Sequence, residues 1–486
     1  MKEKVYPLDY PKTPRHIWEH FYQFTQIPRP SKQEGKIRQY IIDQATLCGH
    51  RYQSDDAGNV VVYVPATGDV QQQETVIIQN HVDMVTVKTD DKSHDFSKDP
   101  LQLCVYDGWL SADRTTLGAD NGIGCAAALA LMTDLSVAHP PLELLFTMDE
   151  ETGLGGALRL DSSLLTGMRM LNLDTEDWGE IFVGCAGARG WQMSRDVQRE
   201  TVPEKHKGYR LVLNGLTGGH SGIQIHQQLG SATKLIAQWL LKANSLGVRI
   251  HSLRSGVAHN VLSRQAEVTF TCPESTSQDL QQLQERLLES WHSFLPDADK
   301  NVYFEMVETD IDSVLTTPCQ EQLIQLLSIF PHGAQSYSLA QPADLVDLSI
   351  NLAIVRIEED GFLLESSLRF FNRDQAQALI DNVLSIAELF DLSVKDTLSY
   401  PGWAPDFDSP LLAKVKDLHC SLFGKTPAVK AIHAGLECGI LKSKMAEVDI
   451  ISFGPTIRGA HSPSERLEIA TVEPFWKLLT GLLKVM

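Results

Sequence analysis

Apolar and polar positions along the first part of the chain predict helices that alternate with short buried strands. Helical spacing of apolar residues runs through 14–27 and 33–49. Apolar or β-branched runs of strand length occupy 59–64, 75–78, 142–147 and 168–173. This alternation is typical of an α/β fold with a central sheet flanked by helices.

The pattern changes between about residues 186 and 400. Strands are predicted at 209–213, 248–253, 265–271 and 302–307, with helices at 231–244 and 278–294. A shorter version follows, with helices at 320–330 and 374–390, strands at 349–356 and 361–371, and a strand through Val394. We interpret this segment as an antiparallel, ferredoxin-like α+β module, roughly doubled and inserted into the first domain. The glycine-rich stretch 184–190 before it is interpreted as a hinge.

The last part of the chain returns to the first pattern, with helices predicted at 411–423 and 472–485 and a strand at 448–453. We therefore predict one discontinuous α/β domain, formed by residues 1–185 and 401–486, and one inserted domain at 186–400. A chain of 486 residues is too long for a single core, which agrees with this division.

Charge and cysteine content limit the possible partners and location. The chain carries 62 acidic and 42 basic residues, a net charge of −20, which argues against nucleic acid or an anionic membrane as the main partner. Its eight cysteines lie far apart without a Cys-x-x-Cys pair, as expected for reduced core thiols. No apolar run reaches membrane-spanning length, and no apolar signal segment follows Met1–Lys4. We expect a cytoplasmic protein.

Several predicted buried strands end in acidic or imidazole side chains. The residues concerned are His81 and Asp83 after 75–78, the triplet Asp149, Glu150 and Glu151 after 142–147, and Asp174 after 168–173. A single acidic triplet is more often a solvated turn, and a single His-x-Asp pair is more often structural. Charge repulsion and desolvation disfavour so many carboxylates at strand ends unless a cation lies there. Ligands of open α/β sheets bind beyond these strand ends.

Two further segments bring candidate ligands. Asp120 stands where a loop meets an apolar helix, and His461 lies in the turn that begins at Gly459. The glycines Gly122 and Gly124 match a dinucleotide-binding pattern, so a nucleotide-binding oxidoreductase is a distant alternative. No clean strand precedes these glycines, and Asp120 would repel a pyrophosphate.

The candidate ligands, two imidazoles and three carboxylates, are His81, Asp120, Glu151, Asp174 and His461. Such a set suits zinc, cobalt or manganese better than calcium, and five ligands suit two ions that share one carboxylate, which we assign to Asp120. We expect zinc, with cobalt or manganese as alternatives. Two ions would lower the pKa of a bridging water toward ~7. Glu150 would then act as general base and acid, and Asp83 would orient His81.

These residues occur in an order that resembles peptidase family M20, a family of di-zinc metallopeptidases. The motifs are His81-x-Asp83, Gly118-Ala119-Asp120, Asp149-Glu150-Glu151-x-Gly153, Asp174 and His461-x-Pro463-x-Glu465. The resemblance implies a zinc-peptidase-like catalytic domain with a mixed central sheet, a lid domain, and a cis peptide bond after Asp120. It also implies a metal-dependent dipeptidase that acts on unblocked dipeptides, including Xaa-His dipeptides such as β-alanyl-histidine.

The resemblance also assigns roles within the inserted domain. His220 resembles the histidine that polarises the scissile carbonyl. Asn260, Arg369 and the Gly435 backbone resemble the groups that hold the carboxylate and backbone of the dipeptide.

Other functions and assemblies stay open. One is another M20 amidohydrolase, either a tripeptidase or an N-acyl amino acid deacylase, and a more distant one is a non-catalytic metal- or peptide-binding relative. The presence of Glu150 argues against pure binding. A homodimer that shares His220 between subunits and a protomer that is complete by itself are both compatible with the sequence.

Overall fold

The computed structural model describes residues 6–68, 74–339 and 345–486, so Met1–Lys4 lie outside the described residues. The chain forms two compact units. The first contains Met1–Gly184, Trp403–Ala431 and Leu436–Met486, and the second contains Cys185–Gly402 and Ile432–Gly435. Within the described ranges, every helix is too short or too polar to cross a membrane. All eight cysteines are free thiols, although Cys48, Cys104 and Cys420 are exposed rather than in the core.

The first part of the chain alternates helices and strands as its apolar pattern predicts. The helices are α1 (Arg15–Gln26), α2 (Gly35–Leu47), α3 (Ala119–Thr133) and α4 (Gly155–Arg159). The strands are β1 (Arg51–Ser54), β2 (Val60–Val64), β3 (Val76–His81), β4 (Leu103–Tyr106), β5 (Trp109–Ala112), β6 (Leu142–Thr147), β7 (Arg169–Asn172) and β8 (Glu180–Cys185).

The inserted segment is richer in strands. Its strands are β9 (Gly187–Arg195), β10 (Arg199–Thr201), β11 (His206–Asn214), β12 (Gly219–His220), β13 (Arg249–Ser255), β14 (Val261–Leu262), β15 (Ala266–Pro273), β16 (Tyr303–Glu308), β17 (Ser313–Leu315), β18 (Gly333–Tyr337), β19 (Val346–Glu358), β20 (Gly361–Phe370) and β21 (Ser393–Tyr400). Its helices are α5 (Ala232–Ala243), α6 (Ser277–His292), α7 (Thr317–Ile329) and α8 (Arg373–Leu389).

The final part of the chain returns to the first unit. It contains α9 (Pro410–Phe423), β22 (Ala428–Ile432), α10 (Glu437–Lys444), β23 (Asp449–Ser452), β24 (Ile457–Arg458), β25 (Arg466–Glu468) and α11 (Ile469–Val485).

The first unit is built on an eight-stranded sheet with the order β1-β2-β6-β3-β7-β23-β8-β22. Strands β6, β3, β7 and β23 are parallel, whereas β2 pairs with β6 in the antiparallel sense. The sheet is therefore mixed, which confirms the predicted fold class. Strands β3 and β6 are buried along their whole length, and α3 is buried on nearly every side. Continuous apolar runs of this kind place the core around the parallel strands.

The second unit is built on a nine-stranded sheet. Eight strands follow the order β16-β11-β15-β13-β19-β20-β9-β21, and β18 pairs with β19. Strands β11, β13, β15 and β16 with α5 and α6 form one β-α-β-β-α-β module, and β9, β19, β20 and β21 with α7 and α8 form another. The pairing of β13 with β19 joins the two modules into a continuous sheet.

The glycine-rich stretch 184–190, predicted to be a hinge, begins at the boundary between the two units, which lies between Gly184 and Cys185. Most of it belongs to β9, which lies between β20 and β21. A side chain on Gly187 would meet the backbone of Gly402 at 2.4 Å, and one on Gly190 would meet Thr397 at 2.7 Å. These glycines permit close approach of neighbouring strands. Because β9 precedes the first module in the chain, the two modules are nested rather than consecutive.

Candidate metal centre and active site

The candidate ligands of the first unit follow parallel strands that end at one edge of the sheet. Strand β3 pairs in parallel with both β6 and β7, and it ends at His81. The acidic triplet follows β6, and Asp174 lies two residues beyond β7. Because the carboxyl ends of these strands meet, side chains that are far apart in sequence come together.

Each of two imidazoles lies between two carboxylates. His81 Nε2 is 3.1 Å from Asp120 Oδ1 and 3.3 Å from Asp174 Oδ1. His461 Nε2 is 3.1 Å from Glu151 Oε2 and 3.5 Å from Asp120 Oδ2. The structure thus brings all five predicted ligands into two groups that could each hold a metal ion, with Asp120 as the shared member.

The backbone conformations at the ligands are unusual. The peptide bond from Asp120 to Asn121 is cis, and Gly118 before it has a φ of +65°. His461 also lies in the left-handed region, at a φ of +63°, which non-glycine residues seldom adopt. A left-handed conformation at a residue other than glycine, as at His461, is typical of functional sites, where the surrounding structure holds it.

Asp83 connects the first imidazole to the acidic triplet. Its Oδ1 lies 3.4 Å from His81 Nδ1, and its two oxygens accept hydrogen bonds from the backbone N–H groups of Glu150 and Glu151 at 3.0 and 3.2 Å. The Ser31 hydroxyl donates a third hydrogen bond at 2.7 Å. Burial opposes ionisation, but the hydrogen bond and charge of His81 and the Ser31 hydroxyl outweigh it and lower the pKa of Asp83 to about 2. Asp83 is therefore an ionised carboxylate placed to orient His81.

The loop that carries Asp120 is held by a carboxylate for which sequence reasoning assigned no role. The Glu465 carboxylate accepts hydrogen bonds from the backbone N–H groups of Leu117, Gly118 and Ala119 at 2.8, 3.0 and 2.7 Å. Three donors from consecutive residues fix the loop just before Asp120. Glu465 is part of the His461-x-Pro463-x-Glu465 motif, so the sequence marks the residue itself. Its contact with the loop before Asp120 is visible only in the structure.

Arg29 is a second residue that sequence reasoning missed. Its side chain is 1% exposed, and its Nη1 donates to the carbonyl oxygens of Val82 and Asp83 at 2.9 and 2.8 Å. Its Nη2 donates to the Gly118 carbonyl. One guanidinium thus links the loop after His81 to the loop before Asp120. The sequence has no local signal for this role, since a lone arginine between two prolines does not indicate burial.

A third missed residue is Glu437, which contacts strands β3 and β6. Its side chain is fully buried, and its Oε2 accepts hydrogen bonds from Thr147 Oγ1 at 2.6 Å and from Gln79 Nε2 at 2.5 Å. Burial raises the pKa of Glu437 to about 7.

The first unit holds more buried negative charge than its own side chains neutralise. Burial raises the pKa of Asp174 to about 7 and that of Glu176 to about 8, and in each case nearby carboxylates add to the increase. Burial likewise raises the pKa of Glu150 well above its ordinary value, with the charge of Glu151 among the further causes. Hydrogen bonds that the His461 imidazole donates to the carboxylates of Asp120 and Glu151 raise the pKa of His461 to about 11.

The donor set fits divalent metal ions. Imidazole nitrogens and carboxylate oxygens are the ligands that zinc, cobalt and manganese take in proteins. Among the described residues, the buried Oε1 of Glu151 has no hydrogen-bond partner, as expected for an atom reserved for another ligand. Glu150 lies beside these ligands, since it, His81 and Glu151 each place a potential ligand atom within 4.8 Å of the others.

The residues assigned to substrate binding lie together in the second unit. Strand β12 pairs with β14 so that His220 is opposite Val261, and the N–H of Ser221 donates to the carbonyl of Asn260 at 2.8 Å. His220 and Asn260 are therefore close on a two-stranded ribbon.

Gly222 lies close to His220, to Arg369 and to the segment that leads to Gly435. A Cβ on Gly222 would lie 3.0 Å from the His220 ring, 3.2 Å from Arg369 Cζ and 2.7 Å from the carbonyl of His433, two residues before Gly435. The second unit thus brings His220, Asn260, Arg369 and Gly435 into one cluster.

The chain belongs to peptidase family M20/M25/M40, because the sequence pattern of that family matches residues 77–485. It is 36% identical over 474 residues to the cytosol non-specific dipeptidase of Escherichia coli strain K12, which covers 97% of this chain and 98% of the E. coli protein. The crystal structure of aminoacylhistidine dipeptidase from Vibrio alginolyticus matches with a TM-score of 0.88 at 36% identity, over 98% of this chain and 97% of that one.

More distant structures share the fold alone. A tripeptidase from Staphylococcus aureus matches with a TM-score of 0.55 at 15% identity, over 97% of each chain. The resemblance to M20 peptidases that the motifs indicate is confirmed.

Proposed function

We propose that the chain is a metal-dependent dipeptidase that hydrolyses unblocked dipeptides, including Xaa-His dipeptides such as β-alanyl-histidine. The observation that carries the proposal is the 36% identity, over 97% of this chain, to a protein named as a dipeptidase. The similarity to an aminoacylhistidine dipeptidase over 98% of the chain supports the preference for C-terminal histidine.

His81, Asp120, Glu151, Asp174 and His461 would hold two divalent metal ions, with Asp120 shared between them. Zinc suits this ligand set, and cobalt or manganese would fit the same donors. When bound, such ions act as Lewis acids and lower the pKa of water.

Glu150 is the proton carrier in this proposal. Burial raises the pKa of Glu150 above its ordinary value, which makes its carboxylate a stronger base, and Glu150 lies beside the ligands His81 and Glu151. It would take a proton from the attacking water and return that proton to the leaving amine. Asp83 would keep His81 in the tautomer that presents Nε2.

The second unit would bind the dipeptide. His220 would polarise the scissile carbonyl, while Asn260, Arg369 and the Gly435 backbone would hold the C-terminal carboxylate and backbone. The buried guanidinium of Arg369 makes no ion pair with any described residue, which suits a group that binds an anionic ligand. A site that holds the C-terminal carboxylate of a dipeptide would exclude longer peptides.

A substrate panel tests the proposal. The purified, metal-loaded protein is assayed with β-alanyl-histidine, other dipeptides, tripeptides and N-acetylated amino acids. We expect hydrolysis of unblocked dipeptides only. Preferential cleavage of tripeptides or of acetylated amino acids would instead assign the chain to another activity of the family.

We also propose a cytoplasmic location, which the similarity to the cytosolic E. coli enzyme supports. The sharing of sites between subunits of a homodimer is testable by mixing Asp120→Ala and His220→Ala chains. Recovered activity in the mixture would show that His220 acts in a neighbouring subunit, and no recovery would show that each chain is complete.

A further inference from the structure

Four residues form a row across the sheet of the second unit. Ser349 of β19 is opposite Arg369 of β20, Arg369 is opposite Ala188 of β9, and Ala188 is opposite Tyr400 of β21. Residues directly opposite in antiparallel pairs project from the same face of a sheet. The side chains of Arg369 and Tyr400 therefore project from one face, with only the methyl group of Ala188 between them.

This row contains the buried guanidinium of Arg369. Arg369 is 7% exposed, and its Nη1 donates to the Tyr400 hydroxyl at 3.4 Å. Among the described residues, its Nε is buried without a partner. A guanidinium has five N–H donors, and a buried donor without a partner is costly unless an acceptor arrives.

The other side of Arg369 is neutral. His433 Nε2 lies 2.7 Å from Ser349 Oγ, and the His433 ring packs on Phe371 with 5.7 Å between centroids. Burial, followed by the charges of Arg369 and His226, lowers the pKa of His433 to about 3. His433 is therefore uncharged at neutral pH and adds no second positive charge beside Arg369.

Tyr400 fills the space beyond Ala188. Arg369 and Tyr400 stand two strands apart, roughly 10 Å between backbones, so only long side chains can meet across a small residue. A Cβ on Gly435 would lie 2.7 Å from the Tyr400 hydroxyl and 2.8 Å from its ring. The phenol thus touches both Arg369 and the Gly435 backbone, two groups assigned to the substrate carboxylate.

We propose that Tyr400 is a positioning residue that holds the Arg369 guanidinium against the Gly435 backbone and so sets specificity for a free C-terminal carboxylate. The inference rests on the proposed function and deepens it. An arginine side chain has many rotamers, and a site that fixes one of them loses less entropy when a carboxylate binds.

The Tyr400→Phe variant tests the inference because it removes only the hydroxyl. We measure kcat and KM for alanyl-histidine and the inhibition constant of histidinamide, which lacks the carboxylate. We expect KM to rise about tenfold, with kcat within about twofold and inhibition by histidinamide unchanged. An unchanged KM, or parallel losses in kcat and in histidinamide binding, would overturn the inference.

Three further variants separate the possible failures. Arg369→Met tests the carboxylate site itself. If the KM of this variant is unchanged, the substrate-binding role of Arg369 in the proposed function is wrong. If KM rises in Arg369→Met but not in Tyr400→Phe, only the role inferred for Tyr400 is wrong. Ala188→Val places a larger side chain between the guanidinium and the phenol and should also raise KM. Tyr209→Phe, a buried tyrosine of β11 in the same sheet, is the matched control and should leave KM and kcat unchanged.

Discussion

The two candidate sites are electrostatically opposite. The group in the first unit collects carboxylates around two imidazoles, and burial raises the pKa of Asp174 to about 7. The group in the second unit holds the buried guanidinium of Arg369 beside a neutral His433, with no ion pair to any described residue. The first is therefore suited to cations and the second to an anion, and the charge that each site lacks indicates what it binds.

The sites also differ in how they are built. The ligands of the first unit stand at or near the ends of strands and helices, and hydrogen bonds of Glu465 and Arg29 hold the adjacent loops. Arg369 projects from the middle of a sheet, and its neighbours across the strands hold it. A site on loops needs added hydrogen bonds to become rigid, whereas a site on a sheet is held rigid by the backbone hydrogen bonds between its strands.

The largest effect is expected from a substitution that removes the proton carrier and leaves the metal ligands in place. We predict that Glu150→Ala lowers kcat by about three orders of magnitude or more, because it removes general acid–base catalysis. Metal content, measured by plasma emission spectrometry, should stay at the level of the unaltered protein. Exposed Glu447 provides the matched control, Glu447→Ala, which should keep full activity. Near-normal turnover of the Glu150 variant would refute its assigned role.

The next largest effect concerns the shared carboxylate. Asp120→Asn should weaken metal binding by at least about 100-fold, because both ligand groups lose charge at once. Competition with a fluorescent chelator measures the affinity. Asp43→Asn, an exposed carboxylate on α2, should bind metal normally. If the Asp120 variant retained both ions, the two groups would not share a ligand.

A third prediction separates the two sites. Arg369→Met should raise KM for dipeptides about 10- to 100-fold, because it removes a charged hydrogen-bond donor from a buried site. Chelator competition should detect no change in metal affinity, since the ligands of the first unit are intact. A parallel loss of metal would mean that the variant disturbs the fold rather than substrate binding.

The smallest effect is on stability and depends on pH. Glu437 has a pKa of about 7, raised by burial from its ordinary value of 4.5, so the folded chain binds more protons than the unfolded chain between these values. The metal-free protein should therefore lose stability as pH rises from about 4.5 to 7, and Glu437→Gln should lose about 3 kcal/mol less over that range. Urea unfolding at several pH values measures this difference. Equal slopes for both proteins would contradict the assignment.

Much of the first site could be predicted because strand ends and glycine turns leave local signals. The buried run before Asp149 and the short strand before Asp174 are readable from apolar runs, and parallel pairing makes their ends converge. Glu437 was missed because it begins a helix far along the chain, and its partners Gln79 and Thr147 are polar residues within apolar strands. No local pattern reports a contact between such distant positions.

The second unit shows the same limit more strongly. Helices and strands are readable from periodicity, but the glycines at the start of β9 indicate turn residues rather than a strand. They serve close packing against Gly402 and Thr397, which belong to the far end of the insert.

The order of the apolar runs and the residue types at their ends thus determined, without coordinates, an α/β fold interrupted by an α+β insert and a set of five candidate metal ligands. Only the folded structure reveals how the two modules nest, which side chains hold the loop before Asp120, and which side chains contact Arg369. The reason is physical: periodicity is set by each residue's neighbours in the chain, whereas burial, pKa and hydrogen bonding are set by neighbours that only folding supplies.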